Sequence, residues 1–378
     1  MSVAHNILGN TGESVSRLGF GCMRLPLRGD GRVDRETTEK MFALALDNGV
    51  NYFDTAYNYL NMESEVVVGE ILGRYERSRY YVTTKLPLIM LRSYAECKEV
   101  FATQKERLKC GIDHYLLHGV NARLWENVKK WGLIDFIQEL KAGGEIGSFG
   151  FSFHDSYECF DEVIHAAPWD LCQIQYNYMD ENTQAGTRGY ELCRELGIPM
   201  VVMEPVRGGA LARLSEDLEE TLRELHPDWS TASWALRWVA AHENVKVTLS
   251  GMSTLQQVED NIRTFSDLRP LTEEENAAIA HAVEVMTHRL ANGCTGCRYC
   301  MPCPNGVKIP EVFSAWNRYT QFRNYGVVSS LWERRLKMED KPASCVGCGA
   351  CEEKCPQHLP IREDLLRAAA DLDDPVWK

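Results

Sequence analysis

Eight times within its first 290 residues the chain passes from a short apolar run into a stretch of helical spacing. The runs are SRLGFGCMRL, VNYFD, YYVTTK, IDHYLLH, SFGFSFH, LCQIQYN, PMVVMEP and VKVTLSGM. Helical patterns follow over 34–48, 65–73, 94–109, 133–142, 157–165, 186–196, 231–241 and 256–265. Short strands that are apolar throughout belong to a parallel sheet covered on both faces. Eight such units predict an α/β chain closed into a (β/α)8 barrel. An open doubly wound sheet is the alternative, but no G-x-G-x-x-G follows the first run. Residues 5–15, with a turn at Asn10-Thr11-Gly12, predict a hairpin ahead of the barrel.

The 14 cysteines mark a second division. Six (Cys22, Cys97, Cys110, Cys159, Cys172 and Cys193) are scattered, and eight crowd between Cys294 and Cys355. The boundary predicted from this shift lies at Ala291-Asn292-Gly293, giving domains 1–290 and 291–378. Lys and Arg total 41 against 54 Asp and Glu, a net charge of −13. That excess argues against nucleic acid or an anionic membrane as partner. No run reaches the ~18 apolar residues of a membrane span, and no basic-then-apolar leader opens the chain. The expectation is a soluble, cytoplasmic protein, where thiols stay reduced and the cysteines need another use.

On a (β/α)8 barrel the chemistry sits at the C-terminal ends of the strands. Asp54 closes VNYFD, Lys85 closes YYVTTK and His118 closes IDHYLLH, while Tyr59 lies just beyond Asp54. Singly, each has a plain reading: a helix cap, a satisfied histidine, a packed ring. Together, in FDTAYNYLNMESEVVVG, TTK and LLH, they resemble the aldo-keto reductase family over roughly residues 1–290. The resemblance implies a catalytic tetrad of Asp54, Tyr59, Lys85 and His118. Its logic is physical. A carbonyl that receives a hydride needs a proton, and a free tyrosine, with a pKa of about 10, is a poor donor near neutrality. A buried lysine beside it favours the phenolate. Lys85 would supply that charge and Asp54 would orient Lys85. Tyr59 would act as general acid or base, and His118 would polarise the carbonyl oxygen.

The resemblance also implies a nicotinamide cofactor, NADP or NAD. Ser152 in GFSFHD stands at the first of two carboxamide-binding positions. Phe153 stands where the family has asparagine, with His154 as its replacement. Gln175 matches the family's amide-binding glutamine. Met203 occupies the position of the aromatic that stacks on the nicotinamide ring. Ser253, Gln257 and Asn261 in SGMSTLQQVEDN match the pyrophosphate and adenosine region. Gln257 replaces a basic residue that commonly meets the 2′-phosphate, so the choice between NAD and NADP stays open.

The tail carries CTGCRYCMPCP, with Cys294, Cys297, Cys300 and Cys303, and CVGCGACEEKCP, with Cys345, Cys348, Cys351 and Cys355. The second run has the C-x2-C-x2-C-x3-C-P spacing of bacterial ferredoxins, and the first is one residue shorter at its end. NGVKIPEVF after Cys303 echoes QHLPIREDL after Cys355. Two 4Fe–4S clusters are expected, with a single cluster or four-cysteine zinc as alternatives. The ferredoxin resemblance implies exchanged fourth ligands. Cys294, Cys297, Cys300 and Cys355 would hold one cluster, and Cys345, Cys348, Cys351 and Cys303 the other. Helical spacing between the runs predicts a mainly helical ferredoxin-like domain.

The expected function is hydride transfer between a nicotinamide and a small carbonyl, alcohol or sugar. The clusters would be structural or would exchange electrons with a redox partner protein. Two alternatives stay open: redox-neutral sugar chemistry on tightly held NAD, and a non-enzymatic redox-sensing or partner-binding subunit. The loops LPLIMLRSY and GVNARLWENVKKWG, with Leu91 and Trp125, are expected to line the substrate site.

Overall fold

The computed structural model describes residues 2–377. Its strands are β1 (His5–Leu8), β2 (Glu13–Ser16), β3 (Leu18–Gly21), β4 (Tyr52–Asp54), β5 (Tyr81–Leu86), β6 (His114–Val120), β7 (Ser148–Phe153), β8 (Leu171–Gln175), β9 (Met200–Met203) and β10 (Val245–Ser250). The helices are α1 (Arg35–Asp47), α2 (Ser64–Leu72), α3 (Tyr94–Leu108), α4 (Ala122–Trp131), α5 (Leu133–Ala142), α6 (Tyr157–Ile164), α7 (Gly186–Glu195), α8 (Glu216–Leu225), α9 (Thr231–Ala240), α10 (Leu255–Ser266), α11 (Glu273–His288), α12 (Ile309–Phe322), α13 (Ala350–Glu353) and α14 (Ile361–Asp373).

Strands β3 to β10 close into a barrel in which each neighbour pair is parallel, β10 joining β3. The expected hairpin is there too: β1 and β2 pair antiparallel across a turn that ends at Gly12, φ +72°. Leu8 and Val15 of this hairpin pack with Tyr52, Leu116, Leu171, Val201, Val247 and Leu249 in one buried cluster. Those six are inward-facing residues of five barrel strands, so the cluster occupies part of the barrel interior. A larger apolar cluster, including Phe20, Phe53, Val82, Tyr115, Phe151 and Phe160, packs the outer faces of the strands against the helices.

Local chemistry explains the element ends. Asp34 caps α1 by accepting from the Thr37 N–H at 3.1 Å. Asn121 caps α4 in the same way through the Leu124 N–H, and Gly132 ends α4 at φ +61°. Side-chain oxygens at such positions satisfy donors that the first helical turn leaves free.

Three helices lie where the sequence reading placed none: α4, α8 and α11. The first overturns an expectation. GVNARLWENVKKWG is a helix, not a substrate loop, because Leu124, Trp125 and Val128 fall on one face and are buried. Trp125 packs in the core with its Nε1 donating to Glu162, and Leu91 is buried as well.

The chain divides into two compact units, one of residues 1–207 with 233–271, the other of 208–232 with 272–378. The division differs from the cysteine boundary at 291, since 208–232 and α11 group with the cysteine-rich region. In this second unit α12 and α14 pack together. Both begin at the repeated isoleucine, Ile309 and Ile361. Trp316 is buried there, with Nε1 donating to Asp371 at 2.6 Å, whereas Tyr299 stands 67% exposed. No helix among the described residues is long and apolar enough to cross a membrane.

Candidate active site and cysteine cavities

Lys85 is 1% exposed, at the C-terminal end of β5. Its ammonium donates to both Asp54 oxygens, at 2.7 and 2.8 Å, and to the Thr55 carbonyl at 2.8 Å. Asp54 ends β4 on the neighbouring strand, so strand register alone brings the pair together. Burial is the largest single influence and opposes the lysine's charge, yet Asp54 and Tyr59 together outweigh it and raise the Lys85 pKa. Burial pushes the Asp54 carboxyl up, while Lys85 pulls it back.

Behind this pair the backbone of β5 is clamped from outside the barrel. Buried Glu65, in the first turn of α2, accepts from Thr84 Oγ1 and Gln104 Nε2, each at 2.6 Å. It also pairs with Arg107 at 3.1 Å. The same Gln104 amide reaches the Lys85 carbonyl at 3.1 Å.

Tyr59 lies with its ring centre 5.2 Å from Lys85 Nζ. The loop that carries it has three consecutive left-handed residues, Leu60, Asn61 and Met62, at φ +52°, +54° and +70°. Such backbone is sparsely populated for non-glycine residues and collects at functional sites. Burial raises the Tyr59 pKa above its ordinary value, and Lys85 only partly offsets this. The expected depression is therefore absent in the free protein, because desolvation outweighs the lysine.

The His118 ring meets Tyr59 edge-on at 5.7 Å. A bulge between Leu117 and Val120 re-aims this part of β6. The bulge is pinned where the Gly119 N–H donates to Ser152 Oγ at 2.8 Å. Burial first, then the positive charges of Lys85 and His154, push the His118 pKa down to about 3. The imidazole is neutral at ordinary pH. All four predicted tetrad residues thus gather at one barrel mouth.

Alternation along β7 sorts the next group. Ser152 faces inward, so Phe153 faces outward and is fully buried, stacking edge-to-face on Phe160 at 5.1 Å. Phe153 offers nothing to a ligand at the mouth, and His154 turns there instead. From His154 a polar arc runs along the rim. His154 Nδ1 is 3.2 Å from Gln184 Oε1, and Gln184 Nε2 donates to Gln175 Oε1 at 3.3 Å. Gln175 Nε2 donates to Asp180 at 2.7 Å. Asp180, 2% exposed, also accepts from Asn177 and pairs with Arg207 at 3.3 Å. Met203 sits beside Gln175 in register.

Ser253, Gln257 and Asn261 gather where β10 meets α10. Ser253 Oγ donates to the Arg24 carbonyl, and Gln257 Oε1 accepts from the Ser253 N–H at 2.7 Å. Asn261 is buried, its amide on Ser250 Oγ at 2.8 Å.

In the second unit the eight tail cysteines line two cavities. Cys294, Cys297, Cys300 and Cys355 line one, with Ile309, Phe313 and Ile361 among its apolar walls. Cys303, Cys345, Cys348 and Cys351 line the other, beside Val307 and Leu365. Among the described residues no three His, Cys, Asp or Glu side chains converge as they would on a single ion. Four thiols around an apolar cradle suit a cubane rather than one zinc.

Comparison with known proteins gives this geometry its place. The aldo/keto reductase family model matches residues 17–284, and a 4Fe-4S dicluster domain matches 293–359. This chain belongs to the aldo-keto reductase family. It is similar to the oxidoreductase YqkF of Bacillus subtilis, 27% identical over 308 residues, 72% of this chain and 94% of that one. The NADH-specific methylglyoxal reductase of Escherichia coli is 24% identical over 312 residues, 68% of this chain and 92% of that one. Among solved structures, the holo form of aldo-keto reductase AKR11C1 from Bacillus halodurans superposes with a TM-score of 0.62. It is 28% identical, covering 74% of this chain and 96% of that one.

Sequence reasoning missed Gln184, Asp180 and Arg207 in this aldo-keto reductase. Gln184 lies at φ +58° and Arg207 at φ +49° in loops between strands, and no local pattern marks either. The strand parity of SFGFSFH does mark His154, since it shares a face with Ser152.

Proposed function

We propose that the protein is a nicotinamide-dependent oxidoreductase acting on a small carbonyl or alcohol at the mouth formed by Asp54, Tyr59, Lys85 and His118. The observation that carries this reading is the buried Lys85 ammonium, fixed by both oxygens of Asp54 next to the Tyr59 ring. A buried ion pair left incomplete costs about 3–5 kcal/mol, so it persists only where both partners are held. Here it supplies a fixed positive charge beside a phenol.

A reduced nicotinamide supplies the hydride when bound. The residues fit its carboxamide, which offers one acceptor and two donors. Gln175 keeps one N–H and one lone pair beyond its bonds to Asp180 and Gln184. Asp180 fixes which end of that amide is which. His154 and Gln184 stand in for the missing asparagine, and Met203 offers a thioether face rather than an aromatic one. The Ser253, Gln257 and Asn261 turn serves the pyrophosphate and adenosine, with no cation at Gln257 to favour the 2′-phosphate. Tyr59 gives its proton to the developing alkoxide, Lys85 stabilises the phenolate left behind, and neutral His118 donates a hydrogen bond to the reacting oxygen.

For the tail, the reading is two 4Fe–4S clusters with the exchanged ligand sets that line the two cavities. Domain 291–378 would hold them. Clusters supply one-electron storage, and their ligands also belong to the core of the second unit: Cys294, Cys300, Cys303, Cys345, Cys351 and Cys355 pack into its apolar cluster. That placement supports a structural role. Cys297 and Cys348 are exposed, leaving one edge of each cavity open to a redox partner.

The test is oxidation of NADH and NADPH by anaerobically purified protein across aldehydes, diketones and keto-sugars. Consumption that is lost in Tyr59→Phe supports the reading and names the preferred cofactor. Bound nicotinamide that is never consumed would replace it with redox-neutral chemistry.

A further inference from the structure

Beneath Asp54 the barrel axis is polar where most of its interior is apolar. Tyr52 precedes Asp54 by two residues on β4, and Thr83 precedes Lys85 by two on β5, so both face inward one layer below the ion pair. Thr83 lies opposite His114 of β6, and the Tyr52 ring stacks on His114 at 5.3 Å. Gln173 of β8 lies opposite Ser152 and is a hydrogen-bond partner of Asp54. Below His114, Glu13 of the hairpin comes within 3.9 Å of its Nδ1 and is 21% exposed.

Glu13 Oε2, His114 Nε2 and Gln173 Oε1 are buried and make no hydrogen bond, while the Tyr52 and Thr83 hydroxyls meet each other and have no further partner. Buried polar atoms are nearly always paired, with protein or with ordered water. Here they belong to inward-facing residues in successive layers, from the hairpin to Asp54. Glu13 Oε2 and Gln173 Oε1 accept, His114 Nε2 accepts or donates according to its tautomer, and the two hydroxyls do both. The ligand that serves all five must donate at several points and accept at others. Water does so, and two to four polar partners are what a buried water takes.

We propose that a chain of ordered water fills the barrel axis beneath Asp54 and carries protons from the hairpin end to Lys85 and Tyr59. The proposal rests on the carbonyl-reduction reading. In each reduction the Tyr59 O–H bond breaks and its proton forms the product hydroxyl. Lys85 passes an Nζ proton to the phenolate and regains one from the uppermost water. Successive waters and the Tyr52 and Thr83 hydroxyls each hand on one proton, and bulk water at Glu13 replaces the last. One proton enters per hydride transferred, and no other redox change is needed. Product can then be replaced at the mouth while Tyr59 is recharged from below.

Two measurements test it. The first is a high-resolution crystal structure of the whole protein. Ordered water bonded to Tyr52, Thr83 and His114 is expected, and a dry axis overturns the proposal. The second compares Tyr52→Phe and Thr83→Val with wild type in single-turnover and steady-state oxidation of the reduced nicotinamide. Tyr59 is already protonated at the first turnover, so that rate is expected to be unchanged. Steady-state turnover should fall about 10²-fold, the lower end of the range for losing a proton-transfer group. Unchanged steady-state rates in both variants would show that protons enter through the mouth. Equal losses in both assays would assign the residues to holding Asp54 instead. Failure of the parent reading is separate: wild type would then show no Tyr59-dependent oxidation, the proton route would fall with it, and the crystal structure alone would decide the water.

Discussion

Lys85 carries a charge where almost nothing but Asp54 and one carbonyl solvates it, and the consequences can be measured. Lys85→Met removes the charge beside Tyr59 and leaves Asp54 buried without a partner. Turnover is expected to fall by at least ~10²-fold, and stability by about 3–5 kcal/mol, read by steady-state kinetics and denaturant melts. Restoring the second figure alone, with Asp54→Asn in the same chain, would separate folding from chemistry. His118 gives a pH prediction. Its folded pKa is pushed to about 3, below the ordinary 6.5, so between these values the unfolded chain binds more protons. Its contribution to stability is therefore complete above about pH 6.5 and lost as pH falls toward 3. His118→Asn should flatten the acid limb of a stability–pH curve. The same neutrality predicts no histidine step in kcat between pH 5 and 8 from this residue. Asp54, Lys85 and His118 were legible in the sequence because residue type and strand end coincide in each. The rest of the rim arc was not, because Asp180 and Gln184 lie in the loop after β8 and meet His154 of the neighbouring loop only after the barrel closes.

At the scale of elements, close approach decides what β7 tolerates. A Cβ on Gly150 would lie 2.1 Å from the Leu171 carbonyl oxygen of β8 and 3.1 Å from Leu116 Cδ2. Neither strand can yield without breaking its register, so Gly150→Ala should destabilise the barrel by about 1–3 kcal/mol or more. A thermal melt within a degree of wild type would contradict this. The eight strands and the hairpin followed from apolar runs and turn chemistry. Helix α4 did not, although Asn121 and Gly132 cap it, because its two tryptophans and mixed charges resemble a ligand-binding loop. Helices α8 and α11 were passed over although their buried residues recur at helical spacing, Leu218 with Leu222 and Ala278 with Ala282.

For the molecule as a whole, the second unit draws much of its core from thiols that face the two cavities. Anaerobic chelation of iron should therefore unfold α12 and α14 along with the loss of cluster absorbance, seen as reduced far-ultraviolet ellipticity. Full retention of ellipticity in an iron-free protein would show that the apolar contacts of Val312, Phe313, Trp316 and Leu365 suffice alone. The bipartite organisation was plain from the cysteine distribution. The inclusion of 208–232 and α11 in the second unit was not, since nothing in their composition ties them to cysteines that lie farther along the chain.

Each cavity takes three cysteines from one run and its fourth from the other, Cys355 joining the first and Cys303 the second. While the chain is still emerging from the ribosome, the earlier run is an open three-thiol cup. It stays so until Cys355 has been made. Neither site can be finished before the other has begun, so a complete ligand set waits on synthesis of the second cysteine run. A chain that stopped before the second run would hold no complete set of four thiols.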